Sequence, residues 1–419
     1  MNIKSKNSQN IAAPFFEQPQ VETDVIPVRE GVPFGIKRVF HPEIGIGGAY
    51  GAWGKSYDNE ALIPLLEDHL GKPLLKEERM NLAPLGFVHR HHGPVLSDDE
   101  QLELEVEVGA RFLREAAKAN GWKPEEVEGV LIGMTGPVSD DYTEKIAKKA
   151  GIPDSAIKIS VHKACDSSMG ALHLLLNPDL AVHQQTKRNV AKELFGKKVL
   201  VGGIEGLSRV VMKSRDISAL QLFGNGAGVI GVIPGQTMKF LVGKPHEVYD
   251  EKGVLTVAMS YPHSRQTKVD QSMIEFSQSG DNHLRFAGLM HEPEDRISSV
   301  AMASPMGMVK LFVRTGVQVV FDVYEKYQAL MDEMGIAKKI TVGIVHHANL
   351  KINSLKAKQL KDIGIQIPMP WILSEFGNVS AASNMIAFLR QLPLIKPGDH
   401  ILFDGFGAGT YYDTFAVAF

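Results

Sequence analysis

The chain has 419 residues, 44% hydrophobic and 22% charged, ordinary globular proportions for two domains or one large α/β unit with an internal duplication. Its 45 lysines and arginines against 48 aspartates and glutamates leave a formal net charge of −3, which predicts no attraction to nucleic acid or to a membrane surface. A single cysteine excludes an intrachain disulfide framework and any multi-cysteine zinc site, and with no signal peptide or long apolar run a soluble, cytoplasmic protein is expected.

Residues 1–35 carry Asn, Gln, Ser and Pro without apolar periodicity and read as a polar tail, or as an arm lying on a partner. From Arg38 a strand-like run ends in a glycine turn at Gly45 to Gly48, and Asp58–Leu70 is helical in pattern. His89, Arg90, His91 and His92 have side chains suited to a metal. Neighbours on a strand point to opposite faces, however, and no carboxylate stands at ligand spacing, so a solvated or phosphate-facing edge is the better reading. Next come an amphipathic helix over Glu103–Asn120, a buried strand over Val127–Thr135 and a helix over Tyr142–Ala150.

Ile157, Ile159 and Val161 alternate with Lys158, Ser160 and His162 as in a strand. Asp166, Ser167 and Ser168 are helix-capping types that lead into Met169, Ala171, Leu172 and Leu175 at helical spacing. Cys165 thus falls on a strand-to-helix turn, where free N–H groups and the helix dipole favour a thiolate and lower its pKa. A buried, inert cysteine is the alternative. Asp166 is expected to cap the helix and face away from the sulfur, because a carboxylate beside the thiol would raise its pKa.

A short helix near Asn189–Leu194 and a strand over Lys198–Gly203 lead to Gly224-Asn225-Gly226-Ala227-Gly228. That glycine spacing resembles a dinucleotide loop, but β-branched residues follow it rather than a helix start, so a structural turn is preferred. Residues 236–300 mix short strands, prolines and polar stretches, and read as an insertion that could cover a pocket. Beyond it are a helix over Met306–Met334, a strand over Ile340–His346 and a helix from Leu350. A turn into a helix at Phe376–Ser383 and strands over His400–Asp404 and Tyr411–Phe419 close the chain. Strand and helix alternate over 127–235 and again over 310–419, each pass ending in a glycine turn and a strand. This weak repeat predicts two similar α/β halves, 36–235 and 236–419.

Cys165 at a helix start, His346 at a strand end and Asn378 at another helix start are the residue types that acyl transfer through a thioester needs. The thiol attacks an acyl carbonyl, and the oxyanion needs preorganised N–H donors from Cys165 itself and from the Gly407-Ala408-Gly409 turn. A second thioester carbonyl that becomes an enolate on decarboxylation needs two donors, which a neutral imidazole and a carboxamide supply. His162, His173 and His347 are read as packed or hydrogen-bonded.

These segments resemble those of β-ketoacyl-acyl carrier protein synthase III, of the thiolase superfamily. The resemblance rests on Ala164-Cys165, on Val345-His346-His347-Ala348-Asn349-Leu350-Lys351-Ile352, and on Gly377-Asn378-Val379-Ser380-Ala381-Ala382-Ser383. It rests also on Gly224 to Gly228 and on Phe406-Gly407-Ala408-Gly409, and spans residues 38 to 419 in order. It implies a thiolase-like fold, two similar α/β halves packed as a layered α-β-α-β-α core. It implies Cys165, His346 and Asn378 as catalytic residues, Cys165 and Ala408 as the oxyanion hole, and Asn349, Gly377 and Gly407 as substrate-binding positions. The implied activity is acylation of Cys165, then decarboxylative Claisen condensation with a malonyl thioester, in fatty acid or polyketide biosynthesis. Coenzyme A or acyl carrier protein thioesters are then substrates and partners, with no resident cofactor or metal, and a homodimer is implied. The element Leu85 to His91 departs from the family in having no tryptophan close to it in sequence. Alternative readings are an acyltransferase serving a non-malonyl acceptor, a 3-hydroxy-3-methylglutaryl-coenzyme A synthase-like condensation with Glu205 as acid/base, and a non-catalytic partner subunit.

Overall fold

The computed structural model describes residues 28–212, 216–247, 257–259, 274–288, 300–302, 309–408 and 411–419. Most of the polar tail, much of 236–300 and Gly409 therefore lie outside the described residues. Uninterrupted apolar runs form strands buried on both faces, as expected when helices cover both sides of a sheet. In chain order the strands are β1 (Phe34–His41), β2 (Ile46–Trp53), β3 (Lys55–Asp58), β4 (His89–His92), β5 (Gly129–Gly133), β6 (Ile157–His162), β7 (Val199–Glu205) and β8 (Gly226–Val232). They continue as β9 (Lys239–Glu247), β10 (Val257–Met259), β11 (Ile274–Gln278), β12 (His283–Gly288), β13 (Val300–Met302), β14 (Ile340–Val345), β15 (His400–Gly407) and β16 (Tyr411–Ala418).

The first sheet has the order β1-β2-β8-β7-β5-β6-β12-β11 and the second β14-β15-β16-β9; β3 pairs with β4 and β10 with β13. One pattern occurs in both large sheets. Along β5-β7-β8-β2 the pairings are parallel, antiparallel, antiparallel. Along β14-β15-β16-β9 they are the same. The duplication thus starts earlier than the sequence pattern indicates, at β2 in the first half and at β9 in the second. The stretch read as an insertion opens with a core strand, and its hairpin β11–β12 extends the first sheet, β12 lying parallel to the outer edge of β6.

Parallel neighbours need crossover helices. Tyr142–Ala150 joins β5 to β6 and Ser167–Leu176 joins β6 to β7. Every residue of Ser167–Leu176 is buried, because this helix lies between the two sheets, alongside Ser383–Gln391. Asp98–Ala119 and Tyr142–Ala150 cover the outer face of the first sheet, and Gly316–Met334, with Leu350–Asp362 packed against it, covers the second. The result is the expected thiolase-like α-β-α-β-α layering.

Local chemistry sets the boundaries. The helix expected from Glu103 starts at Asp98 because Ser97 and Glu100 form a reciprocal capping box. The long helix expected from Met306 is described as a π-helical stretch, Lys310–Thr315, followed by the α-helix Gly316–Met334.

A buried ionic cluster joins the two halves. Lys163, after β6, pairs with Asp413 of β16 and lies 3.2 Å from Asp166 Oδ2, while His173 Nδ1 lies 2.6 Å from Asp413 Oδ1. Burial pushes the Asp166 carboxyl well up, and the neighbouring Asp413 charge adds to this. Asp413 is held low: burial opposes its ionisation, but Lys163 and His173 outweigh it.

Candidate active site

β6 ends at His162, and the chain turns sharply before the central helix. Ala164 has φ +49° there, a left-handed conformation unfavourable for a residue with a Cβ. The turn places Cys165 just ahead of Asp166 and the first helical residue, Ser167. The Ser380 hydroxyl lies 3.0 Å from Cys165 Sγ, and the backbone N–H of Ala408 donates to the same sulfur. Ser380 too has a positive φ, +44°.

The thiol does not have the lowered pKa that its position suggests. Burial pushes it up to about 12, against the bonds from Ser380 and Ala408, with Glu205 and Asp166 adding to the rise. The resting sulfur is therefore a neutral thiol, because desolvation of a thiolate outweighs two hydrogen bonds. Asp166 occupies the cap position, but its side chain makes no cap bond. Its carboxyl turns instead to Lys163 and Asp413, and burial there pushes its pKa well up.

His346 follows β14. Its N–H donates to Asp404 O at 3.0 Å, its carbonyl accepts from Asn353 Nδ2 at 2.9 Å, and its ring stands edge-on to Phe406, 5.0 Å between centroids. Burial, then His347 and Lys356, push the imidazole down to about 3, so it is neutral. Behind it Lys356 and Asp404 form a fully buried pair, and Thr414 Oγ1 donates to the other Asp404 oxygen at 2.9 Å.

Asn378 is anchored by backbone bonds to the glycine turn of the first half: its N–H donates to Leu222 O at 2.9 Å, and Gly224 N–H donates to its carbonyl at 3.2 Å. Gly224 permits this approach, since a Cβ there would lie 2.6 Å from Phe376 O. The turn at 224–228 is thus structural, and Asn225 Oδ1 accepts from Ser208 N–H and Oγ, each at 2.9 Å. The Asn378 side-chain oxygen accepts from Ser380 N–H at 2.9 Å, which fixes Nδ2 as the donor end, bonded to Ala348 O at 3.4 Å.

Cys165, His346 and Asn378 are thus brought together through two short connections. One runs from the sulfur through Ser380 to Asn378 and on to Ala348, two residues past His346. The other runs through Ala408, Gly407 and Phe406 to the His346 ring.

The remaining predicted positions support this frame. Asn349 caps Leu350–Asp362, its Oδ1 accepting from Ile352 N–H at 2.9 Å, so its carboxamide oxygen is committed to the helix. Gly377 has φ +71°. At Gly407 a Cβ would lie 2.7 Å from Lys163 O, 2.8 Å from Asp166 N and 2.9 Å from Cys165 N, all backbone. Gly407→Ala is therefore expected to destabilise the protein by about 1–3 kcal/mol and to slow alkylation or acylation of Cys165, as measured by denaturant unfolding and intact mass.

His89 to His92 form β4, with Arg90 and His92 buried and His89 and His91 half-buried, and His92 Nδ1 lies 3.2 Å from Ser208 Oγ. His347 bonds on both ring nitrogens, Nδ1 to Val345 O at 2.9 Å and Nε2 accepting from Ile372 N–H at 3.1 Å. A tryptophan does stand against the Leu85–His91 element: Trp371 Nε1 donates to Gly86 O at 2.8 Å and its ring packs on Phe87. It is distant in sequence and committed to that contact. Sequence reasoning also misses Thr135 and the role of Ser380, whose only signal is its place in the Gly377–Ser383 segment.

The model of 3-oxoacyl-[acyl-carrier-protein (ACP)] synthase III C terminal matches residues 332–419. A β-ketoacyl-[acyl-carrier-protein] synthase III of Clostridium tetani is 27% identical over 310 residues, 72% of this chain and 80% of that protein. One from Limosilactobacillus reuteri is 26% identical over 329 residues, 76% of this chain and 85% of the relative. The crystal structure of 3-oxoacyl-[acyl-carrier-protein] synthase III from Aquifex aeolicus VF5 superposes with a TM-score of 0.59 at 17% identity, covering 93% of this chain and 100% of that one. Family segment, relatives and fold agree: the chain is similar to β-ketoacyl-[acyl-carrier-protein] synthase III in its C-terminal segment and over most of its length, and it shares that enzyme's fold.

Proposed function

We propose that the protein is a condensing enzyme of the synthase III type, which accepts an acyl group on Cys165 and joins it to a malonyl thioester. The observation that carries this reading is the grouping around one thiol of an N–H aimed at the sulfur, a neutral imidazole and an oriented carboxamide. In the first step the sulfur of Cys165 gives up its proton and attacks the donor's carbonyl carbon, the oxyanion is held by the N–H groups of Cys165 and Ala408, and the carrier leaves as a thiolate that takes its proton from solvent. In the second step the bond from the malonyl carbon to its carboxylate breaks and carbon dioxide leaves. The electron pair becomes an enolate whose oxygen is held by His346 and by Asn378 Nδ2. The carbanion then attacks the acyl-cysteine carbonyl, and collapse releases the Cys165 sulfur and a β-ketoacyl product. Coenzyme A and acyl carrier protein thioesters enter as substrates, and none of these steps calls for a resident cofactor or metal.

The supporting argument for His346 is electrostatic. A neutral imidazole donates to an enolate without binding the malonyl carboxylate so strongly that carbon dioxide loss is opposed. Because its pKa lies near 3 rather than 6.5, its donor form persists as pH falls through the ordinary histidine range. The condensation step, measured from preformed acyl-enzyme, is expected to show no loss near pH 6.5; a midpoint there would contradict a neutral, buried His346.

The resemblance further supports a cytoplasmic homodimer. Among the described residues no helix is long and apolar enough to cross a membrane. Since β12 occupies the outer edge of β6, the strand that ends the sheet on that side is β11. Light scattering at several concentrations tests the assembly.

The activity is tested by incubating the protein and Cys165→Ala with a panel of acyl-coenzyme A and acyl-carrier thioesters and recording intact mass. An adduct absent from the variant, and discharged by malonyl thioester with carbon dioxide release, is the expected result. An adduct that malonyl thioester cannot discharge would indicate a different acceptor. No adduct with any thioester would overturn the reading.

A further inference from the structure

Activation of Cys165 needs somewhere for the thiol proton to go. Among the described residues no hydrogen bond joins the sulfur to His346. What does meet the sulfur is Ser380 Oγ at 3.0 Å; Ser380 Oγ is 2.5 Å from Thr135 Oγ1, and Thr135 Oγ1 bonds to Glu205 Oε1. Four side chains from four separate segments thus make one unbroken line that ends on a buried carboxyl. Thr135 follows β5, Glu205 ends β7, and Ser380 follows the Gly377-Asn378 turn.

Proton counting makes the line specific. With Glu205 ionised, Cys165, Ser380 and Thr135 bring three protons to three gaps. Once the Ser380 hydroxyl, which at rest donates to the sulfur, turns to Thr135, each gap holds one proton and every donor points towards the carboxylate. Moving each proton one place along leaves a thiolate at one end and a neutral Glu205 at the other, again with every gap filled. The intermediate oxygens never carry a net charge. Glu205 itself is fixed independently of the hydroxyls: Oε1 also accepts from Thr135 N–H at 2.8 Å and Ala381 N–H at 3.1 Å.

We propose that Glu205 is the proton acceptor for Cys165, reached through the hydroxyls of Ser380 and Thr135. On acylation the S–H bond breaks as sulfur attacks the thioester carbonyl. The thiol proton passes to Ser380, that of Ser380 to Thr135 and that of Thr135 to Glu205. No electron leaves the system and no co-reactant is required. When condensation expels the sulfur, the same proton returns. Glu205 is thus a positioning residue that acts through the two hydroxyls, while Cys165 alone touches the acyl group. This extends the reading of Cys165 as the nucleophile.

The electrostatics around the carboxyl agree. Burial pushes Glu205 up to about 8, against its bonds from Thr135 and Ala381, and Glu105 of the outer helix adds to the rise. Arg209, 3.9 Å from Glu105, offsets that charge, and Tyr142 is held in its neutral form by burial. The accepting form of Glu205 is the ionised one, so proton removal strengthens as pH rises through about 8, below the point at which the thiol ionises unaided.

The test uses the full chain and iodoacetamide, so it needs no acyl substrate. The rate constant for alkylation of Cys165 is followed by intact mass from pH 6 to 10. The wild-type rate is expected to rise around pH 8, and Glu205→Gln to lose that rise, with alkylation at pH 8.5 slower by about 10-fold to 100-fold. Thr135→Val and Ser380→Ala keep both backbone bonds to Glu205 and should lose it as well, which decides the matter if Glu205→Gln does not fold. Thr135→Ser and Glu205→Asp, which keep the hydroxyl and the carboxyl, should retain the rise. Wild-type profiles in folded Glu205→Gln and Thr135→Val would overturn the proposal, as would loss of the rise in Thr135→Ser. A normal relay in a protein that no thioester acylates would fault the condensing-enzyme reading instead.

Discussion

Cys165→Ala is expected to lower condensation by at least about 10⁴-fold, because no second thiol exists in the chain and the nucleophile has no substitute. The informative contrast is with the two donors beside it. His346→Ala and Asn378→Ala should each leave acyl transfer to Cys165 within a few-fold of wild type. Each should slow decarboxylative condensation by about 10²–10³-fold, the usual cost of one oxyanion donor. The division follows from position: the sulfur is contacted by Ala408 N–H and Ser380, whereas Asn378 reaches it only through Ser380. Single-turnover experiments separate the steps, with adduct mass reporting acylation and carbon dioxide release reporting condensation. Loss of acylation in Asn378→Ala would show that its donor serves the first oxyanion, and the assignment of steps would fail.

Lys163→Met should have the largest effect on stability, about 3–5 kcal/mol, because it leaves the Asp413 carboxylate buried without its cation. Asp166 offers no compensation, since burial and Asp413 already hold it in its neutral form. The effect is specific to burial. Arg29 and Glu100 make a comparable 2.8 Å pair on the surface, where solvent screens it, and Arg29→Ala should change stability little. Because Asp413 lies on β16 and Lys163 directly precedes the Ala164-Cys165 turn, Lys163→Met should also slow alkylation of the thiol. Guanidinium unfolding and iodoacetamide kinetics on one preparation test both; a loss under about 1 kcal/mol would mean that the cluster is not what joins the halves.

The strand from Ile157 to His162, the helix from Tyr142 to Ala150 and the turn carrying Cys165 follow from local periodicity and capping residue types, which adjacent residues determine by themselves. Likewise His346 and Asn378 lie on contiguous segments, and the matching C-terminal region is a contiguous stretch. Properties that depend on distant neighbours were not legible in this way. β9 is hidden in a stretch of mixed pattern because its place is set by pairing with β16, the last strand of the chain. Trp371 meets Gly86 only when the chain has folded back on itself. The charge state of Cys165 differs from the local expectation for the same reason: a helix N-terminus is a local feature that favours the thiolate, whereas desolvation by the fold around it opposes it more strongly. Asp166 likewise has a capping residue's position, but a lysine before the cysteine and an aspartate near the C-terminus draw its carboxyl away. The sequence by itself determined which residue types stand at strand ends and helix starts. Tertiary structure decided their protonation and their partners, because desolvation and hydrogen-bond geometry depend on every segment packed around them.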